Sequence, residues 1–131
     1  MYYYFCSDEK LLEINKERLD HDFYTDIVTF PLTDCETVLS SEFCISVDRI
    51  KENAETFGRS YESELHRVII HGVLHLIGFD DLTDEEEKEM REKEEEALKI
   101  LFSWFIIKLL YTLFPVKHWQ KCTSNRMISL L

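Results

Sequence analysis

The sequence HGVLHLIGFDD at residues 71–81 holds two histidines four positions apart, followed by a glycine and an aspartate. Residues at i and i+4 share one face of an α-helix, so His71 and His75 can offer two imidazole nitrogens to one ion. Gly78 permits the left-handed backbone that ends a helix, and the chain can then turn back to bring Asp81 to the same side. The stretch therefore predicts a buried helix and a turn that together carry three metal ligands: His71, His75 and Asp81.

This predicted ligand set also indicates the type of metal site. Three protein ligands leave one tetrahedral position open for water, which is typical of catalytic zinc, so we predict one Zn²⁺ per chain. A carboxylate in place of a third imidazole weakens the ion as a Lewis acid and broadens the tolerance for harder metals. A lone histidine on an apolar helix is usually a packed core residue, but two histidines with a glycine exit and an acid are hard to explain by packing. His66, five residues before His71, points to another face of the helix.

A metal with an open position typically activates water for hydrolysis. The spacing overlaps the metalloprotease motif H-E-x-x-H-x-x-G-x-x-H, whose glutamate is the general base for peptide hydrolysis. Gly72 occupies that position here. The missing base counts against a protease and favours a phosphodiester as the substrate.

Hydrophobic periodicity and turn signals elsewhere predict an α+β fold, in which a small mixed β-sheet is packed with helices. The spacing indicates strands at 2–6, 26–32 and 41–47, helices at 48–57 and 61–77, and a further helix capped by Ser7. Thr83 and Glu86 form a T-x-x-E capping box for a last helix at 84–98. Acids far outnumber bases in this helix, and we interpret its charges as a solvated face.

Charge divides the chain into two parts. The net charge is −11, but residues 1–97 hold all 26 acidic residues, whereas residues 98–131 hold five basic residues and no acid. We interpret 1–97 as one domain and 98–131 as a hydrophobic and basic tail of unknown role. An acidic body binds nucleic acid poorly by itself, because phosphate contacts supply most of that affinity. Four scattered cysteines without a CxxC pair argue against a disulfide framework and predict a cytoplasmic protein.

The segment LKILFSWFIIKLLYTLF at residues 98–114 is mostly apolar, and its polar residues fall on two opposite sides of a helical wheel. It is marginal for a membrane span, which needs about 20 mostly apolar residues. Three interpretations stay open: a membrane or partner-binding helix, additional core, or a C-terminus that is not matched to the domain.

The segment HGVLHLIGFDD resembles the signature H-G-x-L-H-L-x-G-[YF]-D-H of the YbeY family, metal-dependent endoribonucleases that mature rRNA. YTDIVTF at 24–30 is similar to the family's T-D-V-L-S-F strand, and SSEFCIS at 40–46 is similar to its G-D-I-x-I-S strand, with Glu42 in the aspartate position. INKERLDHD at 14–22 resembles the L-N segment upstream. Asp81 stands where the signature has histidine, the chain begins at what resembles the family's second strand, and residues 98–131 have no counterpart in the resemblance.

The resemblance implies zinc held by His71, His75 and Asp81, and cleavage of single-stranded RNA by water activated at this site. It also implies a role in ribosome biogenesis, at the 3′ end of small-subunit rRNA, with rRNA and small-subunit ribosomal proteins as partners. Asp80 is a candidate to orient the attacking water. The alternatives are a zinc metalloprotease, or a truncated, non-catalytic relative that binds metal or a ribosomal partner. The candidates for a local basic patch are Arg49, Lys51, Arg59 and Arg67.

Overall fold

The computed structural model describes residues 1–32 and 40–113. Its elements are β1 (Tyr2–Cys6), α1 (Asp8–Leu19), β2 (Ile27–Pro31), β3 (Ser41–Ser46), α2 (Val47–Thr56), α3 (Tyr61–Leu76) and α4 (Asp84–Leu113). The predicted order is confirmed, and the bounds differ by only a residue or two except at the end of α4. That helix continues past residue 98 to Leu113.

The three strands form a mixed sheet with β3 in the centre, in the order β1-β3-β2. β1 runs parallel to β3 and β2 runs antiparallel to it. Alternate side chains of β3 lie on opposite faces of the sheet. Phe43 and Ile45 pack with α3, whereas Cys44 packs with Leu11 of α1. The sheet thus separates α1 from α3, and the predicted α+β class is confirmed.

The helix ends follow from local sequence signals. The Ser7 hydroxyl accepts a hydrogen bond from the backbone N–H of Lys10, so it caps α1 as predicted. The Thr83–Glu86 capping box is also confirmed, because each side chain accepts a hydrogen bond from the backbone N–H of the other residue. Gly78 has a φ of 98°, a conformation that favours glycine and lets the chain leave α3.

Helix α3 lies against the sheet at Gly72, which is buried. A Cβ atom at this position would come within 2.5 Å of Ile27 Cδ1 and 3.1 Å of Phe43 Cδ1. Position 72 therefore faces the sheet, and the absence of a side chain lets the helix approach it closely. A larger residue cannot be accommodated here unless the Ile27 side chain moves away, and it would also press against the fully buried ring of Phe43.

We expect Gly72→Ala to lower the free energy of unfolding by about 1–2 kcal/mol. Overpacking a core typically costs about 1–3 kcal/mol, and the better helix propensity of alanine returns up to about 1 kcal/mol. Urea denaturation of the metal-free protein measures the change. His66→Ala, at an exposed position of the same helix, is the control and should stay within about 0.5 kcal/mol. A Gly72→Ala protein as stable as the original would contradict the close approach.

The chain divides into two compact units, Met1–Leu98 and Lys99–Leu131. Residues 114–131 of the second unit, and residues 33–39 of the first, lie outside the described part of the chain. Of the helices within residues 1–32 and 40–113, none combines the length and the apolar character needed to cross a membrane. A functional division between residues 1–97 and 98–131 stays a prediction.

Candidate metal centre

Helix α3 presents His71 and His75 from consecutive turns, as their spacing predicts. Their Nε2 atoms are 3.0 Å apart, and the two rings meet edge to face with centroids 4.4 Å apart. Both side chains are half-buried, with 20% and 30% of their surface exposed. The pair is therefore close enough to share one ion and still open on one side.

The turn after Gly78 brings Asp81 to the same two nitrogens. Asp81 Oδ2 lies 3.6 Å from His71 Nε2, and Oδ1 lies 3.8 Å from His75 Nε2. One ligand atom from each of the three residues lies within 4.8 Å of the others, so they form a possible metal-binding group. The three residues that the sequence singles out are thus brought together.

The outer nitrogens of both histidines contact groups that can only accept hydrogen bonds. The backbone N–H of Phe79 donates to the carbonyl of Leu74, and the Phe79 carbonyl accepts from His75 Nδ1 at 2.9 Å. His71 Nδ1 lies 2.9 Å from a carboxylate oxygen of Glu94. Since both acceptors require a proton on Nδ1, the Nε2 atoms of neutral rings face each other as lone pairs. When both rings are neutral these lone pairs repel at 3.0 Å, and a cation between them and Asp81 relieves that repulsion, so these residues fit a metal.

Glu94, from α4, is the member of this site that sequence reasoning missed. It was included in the solvated acidic face predicted for 84–98, but that interpretation is wrong for Glu94, which is only 6% exposed. A signal was available, because Met90 and Leu98, four residues to either side, are the other buried residues among positions 84–109 of this helix. The spacing of the apolar residues thus marks the stripe of α4 that enters the core.

The second oxygen of Glu94 accepts a hydrogen bond from Arg67 Nη1 at 2.8 Å. Burial raises the pKa of Glu94, but the hydrogen bonds from His71 and Arg67 lower it more, so its pKa lies below the ordinary value. Burial lowers the pKa of His71, because it disfavours the charged ring. The hydrogen bond to Glu94 and the negative charges of Asp26, Glu94 and Asp81 outweigh this effect, so the pKa of His71 is raised. Glu94 is therefore an ionised acceptor, and His71 sits in a strongly negative environment.

A cavity of about 390 Å³ is lined by two of the three candidate ligands, His71 and Asp81, together with Arg59, Arg67, Asp26 and Glu94 among others. Asn53 donates a hydrogen bond to Asp26 at 3.3 Å. Burial raises the pKa of Asp26, and the positive charge of His71 opposes this only in part. The cavity is large enough for part of a substrate and mixes both signs of charge.

The other residues predicted for the site either lie outside the cavity or form ion pairs with carboxylates. Asp80 is exposed in the turn and is not among the residues that line the cavity. Glu42, which stands at the family's aspartate position, pairs with Arg18 on the sheet face that carries α1. The arginines proposed as a basic patch each pair with carboxylates: Arg49 with Asp8 and Glu52, Arg59 with Glu64, and Arg67 with Glu94 and Glu95. Most of the positive charge expected to contact RNA is thus already neutralised.

The fold and the ligand cluster define an α+β protein with a possible metal-binding group beside a cavity. Residues 1–101 match the family model described as Endoribonuclease YbeY. The chain is 52% identical over 99 residues to the Endoribonuclease YbeY of Parabacteroides distasonis, covering 76% of this chain and 69% of that protein. It is 53% identical over 96 residues to the protein of the same name from Bacteroides thetaiotaomicron, covering 73% and 69%.

Among solved structures, the solution structure of a Thermotoga maritima protein is 30% identical to this chain, with a TM-score of 0.55. The match covers 95% of this chain and 77% of that one. The chain belongs to the YbeY endoribonuclease family, as the resemblance of residues 71–81 and the two strands predicted. Membership supports an endoribonuclease role, which is that of a hydrolase with RNA as its substrate class.

Proposed function

We propose that this chain is a zinc-dependent endoribonuclease that cuts single-stranded RNA and matures the 3′ end of small-subunit rRNA. The observation that carries the metal dependence is the convergence of His71 Nε2, His75 Nε2 and an Asp81 oxygen, with both Nδ1 atoms tied to acceptors. The family supplies the substrate class.

In this proposal His71, His75 and Asp81 hold one Zn²⁺. Two imidazoles and a carboxylate are an accepted zinc donor set, and three protein ligands leave a position for water. When bound, such an ion lowers the pKa of water and stabilises negative charge on phosphoryl oxygens. The half-exposed histidines and the exposed Asp81 leave the group accessible to a phosphodiester from the cavity side.

We assign Asp80 the role of orienting the attacking water. It directly precedes the proposed ligand Asp81, and its carboxylate is exposed, so it can accept a hydrogen bond from a solvent molecule at the edge of the site. A carboxylate that accepts this bond directs the oxygen lone pair toward the substrate and can receive a proton.

The charge distribution favours a guided encounter with RNA. Because the three candidate arginines already pair with acids, little free positive charge is left in this region to attract phosphates. We therefore propose that small-subunit ribosomal proteins bring the chain to its rRNA, and that it works in the cytoplasm. The first 97 residues form the catalytic domain in this proposal, and residues 98–131 have no assigned role.

The metalloprotease alternative is disfavoured by geometry as well as by residue type. The general base of that motif would stand at position 72, which faces Ile27 and Phe43 in the core and leaves no room for a glutamate. A non-catalytic relative that binds metal or a ribosomal partner is the other alternative. A measurement of RNA cleavage distinguishes this alternative from the proposed enzyme.

The test is cleavage of a single-stranded RNA by the purified chain, with the same sequence in a duplex as the matched substrate. We expect the single strand to be cut, the duplex to be spared, a chelator to stop the reaction, and added Zn²⁺ to restore it. An RNA that carries the 3′ region of small-subunit rRNA should be cut at fewer positions than a scrambled RNA. Metal-loaded protein without cleavage would contradict the enzyme, and chelator-sensitive turnover of casein would revive the protease.

Elemental analysis of the same preparation tests the choice of metal. About one zinc per chain is expected. A harder divalent ion such as manganese or iron in its place would contradict zinc while leaving the three-ligand site intact, since a carboxylate ligand tolerates such ions.

A further inference from the structure

We infer that Glu94, held by Arg67, is a positioning residue that fixes His71 for metal binding. This inference rests on the metal centre proposed above and adds a residue outside its ligand set. The carboxylate lies on α4, whereas the ligands lie on α3 and the following turn. Three parts of the chain then cooperate in one site.

The first argument is the way Glu94 is held. One carboxylate oxygen lies 2.9 Å from His71 Nδ1, and the other accepts a hydrogen bond from Arg67 Nη1 at 2.8 Å. Both oxygens of the carboxylate are therefore held in place. The side chain is buried, with Met90 and Leu98 on the same stripe of α4. A carboxylate fixed at two points can hold an imidazole ring in one orientation.

The second argument is the protonation pattern that this contact imposes. An ionised carboxylate only accepts hydrogen bonds, so a neutral His71 ring in this contact carries its proton on Nδ1 and offers Nε2 as a lone pair. Without Glu94 the ring can exchange tautomers or rotate, and part of the population then points an N–H at the ligand position. Outer partners of this kind typically change metal affinity about 10- to 100-fold.

The third argument is the difference between the two histidines. The outer nitrogen of His75 faces the neutral carbonyl of Phe79, whereas that of His71 faces a full negative charge. A charged acceptor draws the Nδ1 proton more strongly and makes the opposite nitrogen a better donor to a cation. His71 is therefore the stronger of the two imidazole ligands, and Glu94 is the reason.

Glu95 provides a matched control. It is the next residue on α4 and also pairs with Arg67, through Nη2, but the acid that contacts His71 Nδ1 is Glu94. Glu94→Gln and Glu95→Gln remove the same charge from neighbouring positions that share one arginine. The first substitution replaces the carboxylate that contacts His71 Nδ1.

The experiment measures the Zn²⁺ affinity of the purified full-length chain by competition with a chelating dye. We expect Glu94→Gln to bind Zn²⁺ about 10- to 100-fold more weakly and Glu95→Gln to stay within about threefold of the original. In the metal-free protein, at a pH high enough for His71 to be neutral, two-bond ¹⁵N–¹H spectra should report the Nδ1–H tautomer of His71 in the original and in Glu95→Gln, and a mixture in Glu94→Gln. A packing role alone would leave that tautomer unchanged.

Unchanged affinity in Glu94→Gln, or equal losses in both variants, would overturn the inference. If Glu94→Gln does not fold, Glu94→Asp keeps the charge but is one methylene shorter, so it should also bind more weakly, and full affinity there would overturn it as well. These outcomes are separable from the proposed function, because zinc binding is measured without RNA. Zinc-loaded protein that cuts no RNA contradicts the function alone, whereas zinc-dependent cutting with full affinity in Glu94→Gln contradicts this inference alone.

Discussion

His71→Ala is expected to abolish both zinc binding and RNA cleavage. The substitution removes one of the three proposed ligands and the hydrogen-bond partner of Glu94. His75 and Asp81 alone offer too few ligand atoms to hold the ion tightly. We expect zinc affinity to fall by more than the roughly 10- to 100-fold that is typical for loss of an outer partner. Zinc per chain by elemental analysis, and initial rates on a single-stranded RNA, measure the two effects.

His66→Ala is the matched control for this variant. His66 lies on the same helix, five residues earlier, and is exposed. It should keep both the metal and the activity of the original chain. Equal cleavage by His71→Ala and the original protein would rule out the metal-dependent mechanism.

Asp81→Ala is expected to lose most of its metal and, with it, the activity. Asp81 is the only carboxylate in the ligand group, and it supplies the negative charge that offsets a divalent cation. Asp81→His replaces it with the residue that the family signature carries at this position, so it should retain zinc. Metal content after dialysis distinguishes the two variants, and a full metal load in Asp81→Ala would show that Asp81 is not a ligand.

The neighbouring Asp80→Ala separates binding from catalysis. Asp80 is exposed and is not part of the ligand group, so this variant should bind zinc normally. If Asp80 orients water, cleavage slows by about 10²- to 10⁴-fold, the usual contribution of such a group. An unchanged rate would remove Asp80 from the mechanism.

Local sequence signals account for the ligand set and for most helix ends. The four-residue spacing of His71 and His75 fixes them on one face of any α-helix, because the helix repeats every 3.6 residues. The positive φ of Gly78 is likewise a local requirement of the turn that precedes Asp81. Ser7 and the Thr83–Glu86 pair act on backbone groups within three residues. These features depend on neighbours in the chain, and the sequence alone therefore predicts them.

Contacts between distant segments could not be predicted in this way. The spacing of Met90, Glu94 and Leu98 marks the stripe of α4 that is buried, but it does not show that Glu94 meets His71 and Arg67 there. The same holds for the arginines, since their carboxylate partners come from different turns and elements.

Gly72 illustrates the division between the two kinds of information. By itself the sequence determined that position 72 lacks the base of a metalloprotease, which depends only on residue type. The packing of the folded chain explains why a glycine stands there: α3 lies so close to the sheet that a Cβ atom would clash with Ile27 and crowd Phe43. Sequence patterns thus identified the candidate metal ligands, because helix and turn geometry is local. Tertiary packing decided which buried acid supports them, because burial depends on residues that are far apart in the chain.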